Sequence, residues 1–231
     1  MKKISKIYIY PFIIMGLIIM LTNSCKKNDQ TPIPIPTTVT DIDGNVYHFI
    51  TIGTQVWMVE NLKVTHYRNG DLIPNVTDNT AWSNLVTGAY CDYNNGPGIS
   101  TTYGKLYNWY AVNDSRNIAP SGWHVPTDAE WTTLTTYWGG ESIAGGKLKE
   151  VGTTHWQSPN TGATNESGFT ALPGGWHSDD FYGIGETCRW WSSTAGGNGG
   201  WERIIDNYSA EVERSSYASS TLGLSVRCVK D

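Results

Sequence analysis

Apolar positions change period several times along the chain, and each change predicts a different element. Residues 7–21 are a nearly unbroken apolar run behind Lys2, Lys3 and Lys6 and ahead of Thr22-Asn23-Ser24. A basic start, a short apolar stretch and small residues before a break predict a secretory signal over residues 1–24. The run is short for a membrane span, which takes about 20 residues. Residues 26–38, KKNDQTPIPIPTT, carry Pro at 32, 34 and 36. That pattern predicts an extended polyproline spacer.

From residue 41 the period becomes two. DIDGNVYHFITIGTQVWMVENL predicts a hairpin with strand residues Val46, Phe49, Ile50, Ile52, Val56, Trp57 and Val59. Turns fall at Asp43–Asn45 and at Gly53-Thr54. Tyr103, Leu106, Tyr107 and Tyr110 recur at three and four, which predicts a helix over Tyr103–Val112. A second helix is better marked. Thr127-Asp128-Ala129-Glu130 spells a capping box, Trp131, Leu134 and Trp138 share one face, and Gly139-Gly140 stops it. After Gly145 the chain is rich in Gly, Ser, Thr and Asn. Leu222–Val229 alternates as a closing strand. With no second spacer inside it, residues 39–231 predict one folded domain.

Cys25 stands at the signal's break, as in a bacterial lipoprotein whose new N-terminal Cys is acylated. Thr22 occupies the place where the lipobox pattern has Leu. Residues 25–38 then become a lipidated Cys and its tether. The membrane is expected to be a partner through that lipid, in the bacterial cell envelope and most readily the outer membrane. Lys26 and Lys27 leave surface display open. Loss of Lys2, Lys3 and Lys6 takes the formal net charge from −5 to −8. An acidic chain without a basic run argues against nucleic acid as a partner.

Eleven Trp and 25 Gly describe a loop-rich domain packed on aromatics, and aromatics this dense also suit stacking on sugars. Beyond Cys25 the thiols are Cys91, Cys188 and Cys228, so an oxidising compartment allows one bridge by any of three pairings. Asp41-x-Asp43-Gly44-Asn45 is a fragment of a calcium loop without its later acidic ligands, and reads as a turn. The five His, at 48, 66, 124, 155 and 177, show no metal-binding spacing. No cofactor or metal is expected.

In chain order, DIDGNVY (41–47), QVWMVENL (55–62), YGKLYNWYAV (103–112), GWHVPTDAEW (122–131), NTGATNESGFTALPGG (160–175), WWSST (190–194) and GLSVRCVKD (223–231) resemble the Fibrobacter succinogenes major paralogous domain. HVPTDAEW and GLSVRCV are also similar to segments of the formylglycine-generating enzyme (sulfatase-modifying factor) family. That resemblance implies an α+β, C-type-lectin-like fold: two helices on twisted antiparallel sheets with long Gly-rich loops. It also implies a Cys91–Cys228 disulfide, with Cys188 left over. The close cysteine pair of the copper enzyme is missing, as are the E-P-N, Q-P-D and W-N-D signatures of calcium-dependent lectins. The fold therefore does not bring the activity with it.

The expectation is a non-enzymatic surface module that binds a glycan or protein through aromatic loops. Trp176, Phe181 and Tyr182 would stack on the ligand, with His177, Asp179 and Asp180 as polar partners. The alternatives are a passive structural envelope protein and a divergent sulfatase-modifying-type enzyme.

Overall fold

The computed structural model describes residues 37–231. The export signal expected over residues 1–24, Cys25 and the tether expected through Pro36 lie outside the described residues. The fold is α+β. It begins two residues earlier than the sequence predicts, because β1 (Thr37–Thr40) pairs antiparallel with β2 (Val46–Ile52), Thr37 opposite Phe49. The turn between them is built by Asp41. Its carboxylate accepts from the amides of Asp43 and Asn45, the Asn45 side chain and the Tyr47 hydroxyl. β2 returns through Gly53-Thr54 into β3 (Gln55–Met58), as the alternation predicts.

The next stretch holds α1 (Asn79–Ser83), β4 (Tyr90–Cys91), a 3-10 turn at Tyr93–Asn95 and α2 (Pro97–Tyr103). Here the structure overturns a prediction. Tyr103–Val112 is not one helix. Gly104 stops α2 at φ 80°, and a Cβ there would lie 2.6 Å from the Asn61 Cβ. The chain then forms β5 (Leu106–Tyr107), paired with β4, and a single turn α3 (Trp109–Val112) capped by Asn108. The aromatic residues at helical spacing are placed by tertiary contacts instead.

β6 (Trp123–His124) leads into α4 (Asp128–Tyr137), where the predicted capping box is present in both directions between Thr127 and Glu130. Glu130 also meets His124 Nε2 at 2.8 Å, and His124 Nδ1 meets Asp231 at 2.7 Å, so the cap is tied to the C-terminus. Trp131 and Leu134 are buried as their periodicity predicts, while Trp138 is half-buried at the C-cap. Fully buried Arg203 pairs with Asp128 at 2.8 Å and fixes the helix to the sheet behind it. α5 (Glu141–Leu148) follows.

The second half is sheet: β7 (Gly174–His177), β8 (Phe181–Ile184), β9 (Thr187–Gly196), β10 (Gly199–Asp206), β11 (Glu213–Ser215) and β12 (Val229–Lys230). One five-stranded sheet runs β1-β2-β3-β12-β6 and the other β11-β10-β9-β7-β8. The opening hairpin and the last strand are therefore neighbours, with Val229 opposite Trp57. The strand predicted over Leu222–Val229 is shorter than its alternation suggests. Leu224 bonds Tyr107, Ser225 bonds Arg189 and Trp191, Val226 accepts from Leu62, and Cys228 accepts from Met58. Each residue serves a different neighbour, so no regular ladder forms until Val229.

Cys91, Cys188 and Cys228 are buried free thiols, and the expected Cys91–Cys228 bridge is not formed. Each packs in a different aromatic cluster: Cys91 beside Trp82 and Tyr93, Cys188 among Trp131, Trp156 and Trp190, Cys228 among Tyr47, Tyr107 and Trp191. Burial raises all three thiol pKa values and keeps them protonated.

At the centre lies Arg227, wholly buried. Its Nε donates to Asn61 Oδ1 (3.0 Å), which also accepts from Trp190 Nε1 (2.9 Å). Its Nη1 donates to the Phe169 carbonyl (2.5 Å), and its guanidinium lies 4.1 Å from the Phe169 ring centroid. Burial pulls its pKa down to about 9, which leaves it charged at neutral pH. Asn61→Ala removes the acceptor shared by two buried donors and should cost about 3–5 kcal/mol. Asn61→Asp, which keeps the oxygen and adds a countercharge, should cost less. Urea unfolding reads both as shifts in midpoint. A midpoint for Asn61→Ala equal to the parent's would remove Arg227 from the centre of the fold.

Candidate functional site

The six residues singled out from the sequence all fall on the hairpin β7–β8, but the pleat divides them. Trp176 stands opposite Tyr182 and His177 opposite Phe181, so the two pairs project to opposite faces. The tight entry to this hairpin needs glycine. Gly175 sits at φ 66°, and a Cβ there would come within 2.4 Å of the Tyr182 carbonyl and 2.6 Å of the Tyr93 ring.

On one face Trp176 and Tyr182 stack with centroids 4.8 Å apart and planes 28° apart. The strand order places Trp176 between Tyr182 and Arg189 of β9, whose guanidinium lies 4.5 Å from the Trp176 ring. Behind Arg189 stands buried Glu202, at 3.5 Å. Burial raises the Glu202 pKa against the pull of Arg189. The Trp176 ring is thus engaged from both sides by its own neighbours. Tyr182, 40% exposed and bonded through its hydroxyl to Asp179 at 3.0 Å, is the outermost ring.

On the other face His177 is not a surface polar partner. It is 1% exposed, 4.2 Å from the Phe181 ring centroid and 4.8 Å from that of Trp82. Its Nε2 donates to Asn79 Oδ1 at 3.1 Å, while its Nδ1 is buried without a hydrogen-bond partner. Burial lowers its pKa to about 4, so the ring is neutral. Sequence reasoning placed this His in a solvated acidic loop. Tertiary packing under Trp82 of α1 puts it in the core.

Asn79 and His177 connect the hairpin to a feature the sequence reading missed. Asp78, Asn79, Asn94, Asn95, Asp180 and Phe181 border an open hollow of about 500 Å³ at the hairpin tip. Asp78 caps α1 with Oδ1 on the Ala81 amide, and Asp180 Oδ1 accepts from the Phe181 amide. The second carboxylate oxygen of each is left unused by those bonds. Asn94 and Asn95 both hold left-handed backbone, at φ 51° and 53°. Asn95 reaches the Thr77 carbonyl across the hollow at 3.0 Å. Among the described residues neither Lys nor Arg lines it. Asn94-Asn95-Gly96 was readable as a turn. Nothing in the sequence brings that turn to Asp180, far along the chain. Of the predicted set, Asp180 and Phe181 border this hollow, Asp179 stands beside Tyr182, and Trp176 is packed.

The donor set suits hydrogen bonding to hydroxyl groups: amides that both donate and accept, carboxylate oxygens that accept, and one aromatic ring at the rim. It offers no nucleophile–base pair. Among the described residues no group of three or more His, Cys, Asp or Glu is placed to hold a metal ion.

The family model described as Fibrobacter succinogenes major domain matches residues 50–230. No curated protein and no solved structure matches the chain.

The buried His177 makes the tip acid-sensitive. Its folded pKa, about 4, lies below the ordinary 6.5, so the unfolded chain binds the extra proton first. Stability contributed by the neutral ring is full above pH 6.5 and is lost as pH falls toward 4. Urea unfolding across that range should show a falling midpoint. His177→Asn should lower stability at neutral pH and flatten the slope. An equal slope in parent and variant would place the titrating group elsewhere.

Proposed function

Because the chain belongs to the Fibrobacter succinogenes major domain family, and its polar hollow carries carboxylates without a cation, we propose a non-enzymatic envelope module that binds a neutral or amino-bearing glycan. The Asn94 amide and the Asp78 and Asp180 oxygens take sugar hydroxyls, and the half-buried Phe181 lies against an apolar sugar face. Tyr182 and Asp179 extend the same tip on its outer side. Two carboxylates unbalanced by Lys or Arg repel uronic and sialic acids. The Asp78 and Asp180 oxygens left free beside the Asn94 and Asn95 amides, with neither Lys nor Arg among the described lining residues, carry the reading.

The module is anchored to the membrane by lipid on Cys25, behind the residue 26–38 tether. This accords with the basic and apolar leader ahead of Cys25. The fold is read as C-type-lectin-like. The meeting of the first hairpin with the last strand, two packed helices and long glycine-rich loops all support that reading.

A glycan array probed with residues 37–231 tests the binding, followed by calorimetry on the hits. Neutral or amino glycans should be retained and acidic ones not. Asp180→Ala and Asn94→Gly should each weaken binding about tenfold, roughly one charged hydrogen bond, and glycine preserves the left-handed backbone at 94. An array without neutral or amino hits, or variants that bind as the parent does, would overturn the proposal.

A further inference from the structure

A second hollow lies on the opposite strand system, enclosed more deeply and built from different chemistry. It has a volume of about 240 Å³ and is bordered by Asp41, Ile42, Val64, His66, Arg68, Ile118 and Ser121. Val64 and Ile118 are buried and give it an apolar floor. Its polar side is preset by the turn after β1. Asp43 holds His66 Nδ1 at 2.5 Å, and its other oxygen accepts from the Thr65 amide and hydroxyl. That bond fixes the tautomer and leaves Nε2 as the basic nitrogen of the ring. Arg68 is anchored by three carbonyls: Nε to Ala119 (3.0 Å), Nη2 to Pro120 (2.9 Å) and Trp123 (2.6 Å). No described residue bonds its Nη1. Neither nearby acid competes for it, since Asp41 is saturated by four internal donors and Asp43 by Thr65 and His66.

We propose that this hollow binds a short organic carboxylate, its charged end on Arg68 Nη1 and the Ser121 hydroxyl, and its apolar tail on Val64 and Ile118. An immobilised guanidinium with one free edge recognises a carboxylate, and the floor selects for a tail. The volume admits a chain of a few carbons and excludes a sugar chain, which separates this site from the hairpin-tip hollow.

Calorimetry of the folded domain with butyrate, butanol and inorganic phosphate tests this. Butyrate should bind with a one-to-one stoichiometry. Butanol and phosphate should bind at least about tenfold more weakly, lacking the charge and the tail respectively. Ser121→Ala, which removes an exposed hydroxyl bordering the hollow, should weaken butyrate about tenfold. Ile42→Asp, at a rim position 51% exposed, should weaken it similarly by repulsion while shifting the unfolding midpoint little. Phosphate binding as tightly as butyrate would make the site a bare anion site. Butanol matching butyrate would make it a hydrophobic hollow. Either result, or no binding of any probe, overturns the proposal.

Discussion

One buried cation holds the two halves of this protein together. Arg227 has no carboxylate partner among the described residues, yet its charge is surrounded by the Asn61 oxygen, the Phe169 carbonyl and the rings of Phe169 and Trp190. Those groups come from the end of the first hairpin, a loop after α5, and β9. A charge taken out of water must be met from several directions at once, and only the assembled fold supplies them. The irregular course of residues 224–228 follows from the same requirement. The segment lies between the sheets, bonding each in turn, and its side chain at 227 faces the point where they meet.

The same logic recurs on a smaller scale. Lys149 is buried and donates to the carbonyls of Thr161, Asp206 and Ser209, which ties the loop after α5 to the ends of β10. Burial lowers its pKa to about 8. Arg203 does the equivalent between β10 and the first turn of α4. Long glycine-rich loops cost conformational entropy to order. Here that cost is offset by buried cations on backbone carbonyls and by a dense aromatic packing in which Trp57, Trp131, Phe169 and Trp190 meet edge to face or tilted. Disulfides take no part among the described residues.

This scaffold leaves two kinds of surface. At the tip of β7–β8 the chain presents amides and carboxylates over a neutral buried His. Beside the turn after β1 it presents a fixed guanidinium and an oriented imidazole over an apolar floor. The first carries carboxylates with free oxygens, and the second a guanidinium with one free edge. The contrast comes from local turns. Asp78 and Asp180 use one oxygen each on backbone amides and keep the other free, whereas Asp41 and Asp43 use both.

The sequence by itself determined what depends on near neighbours. The β2–β3 hairpin, the Thr127–Glu130 capping box, the buried face of Trp131 and Leu134, and the family were all legible, because period-two alternation, a cap and a run of motifs are local signals. Tertiary structure decided the rest. Tyr103–Val112 shows helical spacing, but Gly104 must pass against Asn61 and Leu62, a contact that spacing cannot reveal. Alternation over Leu222–Val229 suggested one strand, but a segment between two sheets must divide its hydrogen bonds among them. Trp176 and His177 are adjacent in sequence and looked equally exposed. The pleat sent one to each face, and Trp82, far away in the chain, buried the second. The hollow at the hairpin tip joins residues 78–80, 94–95 and 180–181, and their proximity is a property of how the chain closes rather than of any pattern within it.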